Sequence, residues 1–244
     1  MSSFIVKNII PINVFGFDIS ITNSSLFMLL VTAFICALLY FGTVDKGIIP
    51  TRLQAVIEEL FFFAGDIVKT NVGRSSVVFF PYMIALFLFI MIGNLVGLLP
   101  FAFSFTSQLV VTFGLATAVF LASVVLGFYN QGIKYFKHFC PDGVPLYLAP
   151  LFVVIELMSF LFRPISLGIR LFANMMAGHI MIKVIAGFAV SIAGVTAFSY
   201  FAIIPICVDV LLNLFKMVVC VLQAYVFVVL SCVYISESVE SSEH

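Results

Sequence analysis

Residues 146–193 read LYLAPLFVVIELMSFLFRPISLGIRLFANMMAGHIMIKVIAGFAVSIA. This stretch of 48 residues is almost continuously apolar, broken by Glu156, Arg163, Arg170, His179 and Lys183. As one helix it would be ~72 Å long, against a hydrocarbon core about 30 Å thick. It makes either two spans or one long, strongly tilted helix, and spacing alone does not decide between them. Arg170 lies well inside it. A guanidinium stays charged at any physiological pH, and placing it at the centre of a bilayer helix costs about 2.5–3.5 kcal/mol on insertion scales. A permanent cation held at that cost implies a function and a carboxylate partner.

The whole chain agrees with a membrane setting. Of its 244 residues 64% are hydrophobic, 30 are Phe and only 9% are charged, and the mean hydropathy is +1.28. So little charge cannot cover a soluble domain, so the fold class is an all-α polytopic membrane protein. The formal net charge is zero, and nothing suggests nucleic-acid binding. Cys36, Cys140, Cys207, Cys220 and Cys232 are scattered, four of them in apolar segments, and read as small core residues rather than a disulfide or metal framework. There is no phosphate-binding loop, no HExxH and no plausible triad, so no catalytic residue, cofactor or metal is expected. The N-terminal MSSFIVKNIIPINVFGFD looks like neither a signal peptide nor an Arg-rich transit peptide.

Outward from the long stretch, the chain divides into an N-terminal segment (1–24), a span over 26–42, an amphipathic segment over 51–70, spans over 77–99 and 109–129, the long helix 146–193, a second long helix 198–236 and an acidic tail 237–244. In the amphipathic segment Arg52, Glu58, Glu59, Asp66 and Lys69 interrupt groups containing Leu53, Val56, Leu60 and Ile67. That pattern suits a helix on the membrane surface or one packed on a partner protein. Basic residues cluster after the first span (Lys46, Arg52, Lys69, Arg74) and before the long helix (Lys134, Lys137). Positive-inside logic then places the N-terminus outside and, with five crossings, the C-terminus inside. An odd count requires 146–193 to cross once, as a tilted helix.

Both long helices carry polar stripes. Glu156, Arg163 and Arg170 are seven residues apart, nearly two turns, and share a face that Asn174 and Gly178 continue. His179 and Lys183 form an adjacent i, i+4 pair. Asp209, Lys216 and Gln223 are again seven apart, with Asn213 between the first two. Folded as an antiparallel hairpin turning near 194–199, partners have residue numbers summing to roughly 393. Arg170 then comes level with Gln223, His179 with Phe215 and Lys216, and Glu156 with the tail from Glu237. Polar residues in a bilayer line a water-filled route or bind something polar. A lone Asn or Gln also serves as glue between helices. A stand-alone secondary transporter, with Arg170 holding an anionic substrate, is the competing class; it predicts inverted repeats, and none is evident.

RPISLGIRLFANMMAGH (163–179), LQAYVFVVLSCVYI (222–235) and IGNLVGLLP (92–100) resemble subunit a of the F-type ATP synthase, and the likeness extends from about Val14 to the C-terminus. The resemblance implies two long tilted helices against a ring of c subunits, with b-type stator subunits, the rest of the ATP synthase and membrane lipid as further partners. It implies a non-catalytic, proton-translocating stator subunit with two offset half-channels, any ATP chemistry belonging to other subunits. Arg170 matches the arginine that faces the ring, Asn174 and Gln223 its polar neighbours, Glu156 the carboxylate of the cytoplasmic or matrix-side half-channel, and His179 the His or Glu of the opposite one. One departure matters. Seven residues before Gln223 the family has Glu or His, and this chain has Lys216. A lysine keeps its proton unless burial strips its solvation, and a nearby carboxylate opposes that loss. Asp209 is therefore expected to relay protons with Lys216 as its charge partner. The implied location is a cell inner membrane, with an organelle-encoded mitochondrial protein as the alternative.

Overall fold

A computed structural model describes residues 8–10, 13–14, 17–18, 20–44, 50–73, 76–99, 103–132, 149–194 and 203–240. Six helices carry the fold: α1 Asn23–Val44, α2 Arg52–Val72, α3 Ser76–Gly97, α4 Leu109–Gln131, α5 Ala149–Ala193 and α6 Ile203–Glu240. Five of them, all but α2, hold segments long and apolar enough to cross a membrane, as an all-α polytopic protein requires. The N-terminal segment adds what the sequence pattern did not suggest. Four short strands pair antiparallel, Asn8–Ile10 (β1) with Ile21–Thr22 (β4), and Asn13–Val14 (β2) with Phe17–Asp18 (β3).

The 146–193 alternative resolves in favour of one helix. α5 runs unbroken for 45 residues, with Pro164 inside it. α6 continues to Glu240 and so takes Glu237 out of the tail and into a helix. The expected hairpin turn near 194–199, apart from Gly194, lies outside the described residues, as do Cys140 and the basic residues Lys7, Lys46, Arg74, Lys134 and Lys137.

The chain forms two compact units, and α1, α3, α5 and α6 each contribute to both. The first comprises Met1–Tyr40, Leu88–Gln108 and Leu171–Tyr225. Its core holds Val31, Ile35, Leu88, Ile90, Phe105, Leu171, Met175, Cys220 and Ala224. A short 3-10 turn, Phe105–Ser107, lays Phe105 against Gly93, where a Cβ would meet the ring at 2.5 Å. Gly97 likewise makes room for Ser104 and for the Met175 methyl, 3.1 Å from where its Cβ would be. These two glycines of IGNLVGLLP allow α3 to seat the turn and α5 closely.

The second unit comprises Phe41–Phe87, Leu109–Arg170 and Val226–His244. Thr51 caps α2 by accepting from the Gln54 N–H. The buried side of α2 is Ile57, Ala64, Ile67, Val68 and Val72, at helical spacing. Ile57 fills the space beside Gly42, and Phe61 and Phe63 stack with Phe80 and Phe87 of α3 at 5.9 and 5.8 Å. α4 approaches α5 at Gly168, whose Cβ would lie 3.1 Å from the Phe113 Cα and 3.3 Å from the Thr112 carbonyl oxygen. Phe227, Val228, Ser231, Cys232 and Ile235 form the buried edge of α6 here.

Candidate functional site: the polar stripes of the two long helices

The two arginines of the α5 stripe have different surroundings, both within the second unit. Arg163 pairs with Glu237. Its guanidinium also lies 5.9 Å from the Phe160 ring centre and 5.4 Å from that of Tyr234, within cation–π range. Phe160 in turn stacks on Phe120 of α4 at 4.7 Å. Arg163 thus clamps the end of α6 to α5 and α4. The hairpin arithmetic had set Glu237 level with Glu156. The structure pairs it with Arg163 instead, a register sum of 400 rather than 393. Arg170, two turns along, is exposed and makes no hydrogen bond or ion pair with any described residue. Glu156 is half-buried and also unpartnered among them.

In the first unit the expected register appears. Cys220 Sγ lies 3.7 Å from Met175 Sδ, and Lys216 lies against Gly178, register sums of 395 and 394. Lys216 and Gln223 occupy the buried side of α6, 6% and 5% exposed. Lys216 follows the surface of α5 so closely that a Cβ on Gly178 would stand 2.4 Å from its Cε, 2.9 Å from its Cδ and 3.1 Å from its Nζ. Beside them is a cavity of about 160 Å³, lined among others by Asn174, Ala177, Gly178, Met181, Phe215 and Lys216. His179 is half-buried, within electrostatic reach of Lys216 and Lys183.

Several polar atoms here are buried with no hydrogen-bond partner in the described residues: Asn174 Nδ2, Asp209 Oδ1, Lys216 Nζ, Gln223 Nε2 and both side-chain atoms of Asn94. Buried polar groups are normally paired, and an unpaired buried charge is costly, which sets these side chains apart from the apolar core around them. The pairing expected between Asp209 and Lys216 is absent: they form no ion pair, and Asp209 Oδ1 and Lys216 Nζ have no hydrogen-bond partner among the described residues. Lys216 turns towards Gly178 instead, and Asn213 gives its amide to the Asp209 carbonyl oxygen at 3.1 Å. Among the described residues no three His, Cys, Asp or Glu side chains gather into a metal site. Cys220 and Cys232 are buried, whereas Cys36 and Cys207 are exposed, so of the four described cysteines the first two behave as core residues. The sequence pattern did not single out Tyr234 or Gly168. The only signal for Tyr234 was its place three residues before Glu237, and for Gly168 its place inside a motif whose arginine drew attention first.

The fold and this site define a multi-pass helical membrane protein whose last two helices carry charged and amide groups without hydrogen-bond partners among the described residues, within segments apolar enough to cross a membrane. The sequence profile described as ATP synthase A chain matches residues 25–236. ATP synthase subunit a of Agrobacterium fabrum is 45% identical over 237 residues, covering 97% of this chain and 95% of the relative. That of Gluconobacter oxydans is 46% identical over 225 residues, 92% and 90%, and that of Rhodospirillum rubrum 41% over 239 residues, 98% and 97%. The chain belongs to the subunit a family of the F-type ATP synthase, a membrane component of proton-linked ATP synthesis.

Proposed function

We propose that this chain is the non-catalytic stator subunit that forms two offset proton half-channels against a ring of c subunits, with Arg170 coupling proton flow to rotation. The observation that carries the reading is the contrast between the two arginines: Arg163 is satisfied internally, whereas Arg170 is presented without a partner among the described residues. A cation exposed in mid-membrane needs an external carboxylate, which the rotor's c subunits would supply. A protonated rotor carboxyl is neutral and tolerates lipid. On reaching Arg170 it loses its proton to the exit channel, because the ionised form gains a counter-charge. The same positive charge keeps protons from passing directly between the half-channels. Each proton crossing contributes about 2.3 kcal/mol per 100 mV of potential.

On this reading Glu156 belongs to the half-channel on the cytoplasmic or matrix side. His179, Asp209, Asn213 and Lys216 belong to the opposite one, with Asp209 as the acidic relay. Asn174 and Gln223, whose amide nitrogens have no hydrogen-bond partner among the described residues, would serve as polar neighbours of the rotor-facing arginine. b-type stator subunits would hold the chain against rotation in a cell inner membrane. Arg170→Ala in the assembled complex should abolish coupled transport, read as ATP-driven acidification of vesicles. Arg170→Lys should fail as well, since a compact ammonium lacks the planar fork of donors. Intact pumping by Arg170→Ala overturns the reading.

A further inference from the structure

In the second unit a groove of about 320 Å³ opens between α2 and the start of α3, lined by Phe61, Phe62, Gly65, Val77 and Phe80 together with Asp66 and Lys69. Val77 is the first residue of the α3 segment that is long and apolar enough to cross a membrane, so the groove lies at one end of that segment. Its floor is Gly65, 3.6 Å from the Phe80 ring at the position a Cβ would take. Phe62 is 70% and Val77 82% exposed, an apolar opening that a soluble ligand would not satisfy. Asp66 and Lys69, three residues apart on α2, are exposed and make no ion pair or hydrogen bond among the described residues. The walls thus offer an apolar channel, one negative charge and one positive charge at the end of a membrane-length segment.

We infer that this groove is a phospholipid site, taking an acyl chain along Phe61, Phe62 and Phe80 and a zwitterionic headgroup at its rim, with the phosphate on Lys69 and the ammonium on Asp66. An apolar helix of a partner subunit would fill the channel but leave both charges unanswered; a lipid with a phosphoethanolamine head answers both. The site is independent of the coupling proposed for Arg170.

The test uses the assembled complex in nanodiscs doped with a phosphatidylethanolamine that carries a photoreactive acyl chain, compared with the matching phosphatidylglycerol probe. Peptides holding Phe61, Phe62 and Phe80 should label about tenfold more strongly with the ethanolamine probe, the ratio expected from about 1.4 kcal/mol of headgroup recognition. Gly65→Leu, which fills the floor, and Val77→Phe, which narrows the opposite wall, should each lower that labelling to the level at Val110, an apolar residue on α4 that is 84% exposed. Asp66→Asn should remove the preference between probes and keep the chain label. Labelling equal to that at Val110 in the unaltered chain, labelling unmoved by both filling variants, or a photoreactive group at Phe62 that captures a partner subunit's helix instead of lipid, each overturns the proposal.

Discussion

Lys216 occupies the space that Gly178 leaves open on the facing helix, with its Cε 2.4 Å from where a Cβ would sit. The clash a side chain would cause is with the far end of a flexible lysine, so the backbone need not move. Gly178→Ala should leave assembly and thermal stability nearly unchanged. It should displace the ammonium from the cavity beside Asn174, and proton translocation should fall. In a Lys216→Ala background the same glycine change has nothing to displace. The double-mutant cycle on proton flux should therefore be strongly non-additive, and additive effects would show that Gly178 acts by another route.

Gly168 gives the opposite result for a physical reason. Its missing Cβ faces the backbone of α4, at 3.1 Å from the Phe113 Cα, and a helix backbone cannot step aside as a lysine tip does. Gly168→Ala should destabilise the chain by about 1–3 kcal/mol, as overpacking does, seen as a lower thermal-inactivation temperature of the complex and less subunit in membranes. An unchanged melting profile would contradict the close approach of α4 to α5.

Arg163 and Arg170 should separate stability from function. Arg163→Ala removes the pair with Glu237 and the stacking on Phe160 and Tyr234, a loss of about 1–2 kcal/mol for a partly exposed cluster. Glu237→Gln should cost a similar amount, and the two changes together should cost less than their sum. Arg170→Ala, with no described partner to lose, should melt like the parent. Equal destabilisation by the two arginine changes would mean that Arg170 is held internally after all.

Asp209 and Lys216 are not an ion pair, so their substitutions are expected to act separately. Asp209→Asn should suppress proton flux more than Lys216→Gln, because of the two only the carboxylate combines a buried oxygen without a hydrogen bond among the described residues with the chemistry of a relay. Passive proton conduction through the membrane sector after removal of the catalytic head would read this directly. Equal tolerance of both changes would remove Asp209 from the route.

The sequence alone determined the membrane class and the polar residues at seven-residue spacing, because composition and helical period are local properties of the chain. It also determined that Arg170 stands deep in an apolar stretch. Tertiary structure decided what each polar side chain meets. Only the fold shows that Glu237 answers Arg163 rather than lying level with Glu156, that Lys216 turns to Gly178 rather than Asp209, and that 146–193 contains one unbroken helix. Those outcomes depend on the register and closeness of helices far apart in sequence, set by whether a glycine admits a neighbour's backbone or a neighbour's side chain. No pattern along a single helix carries that information.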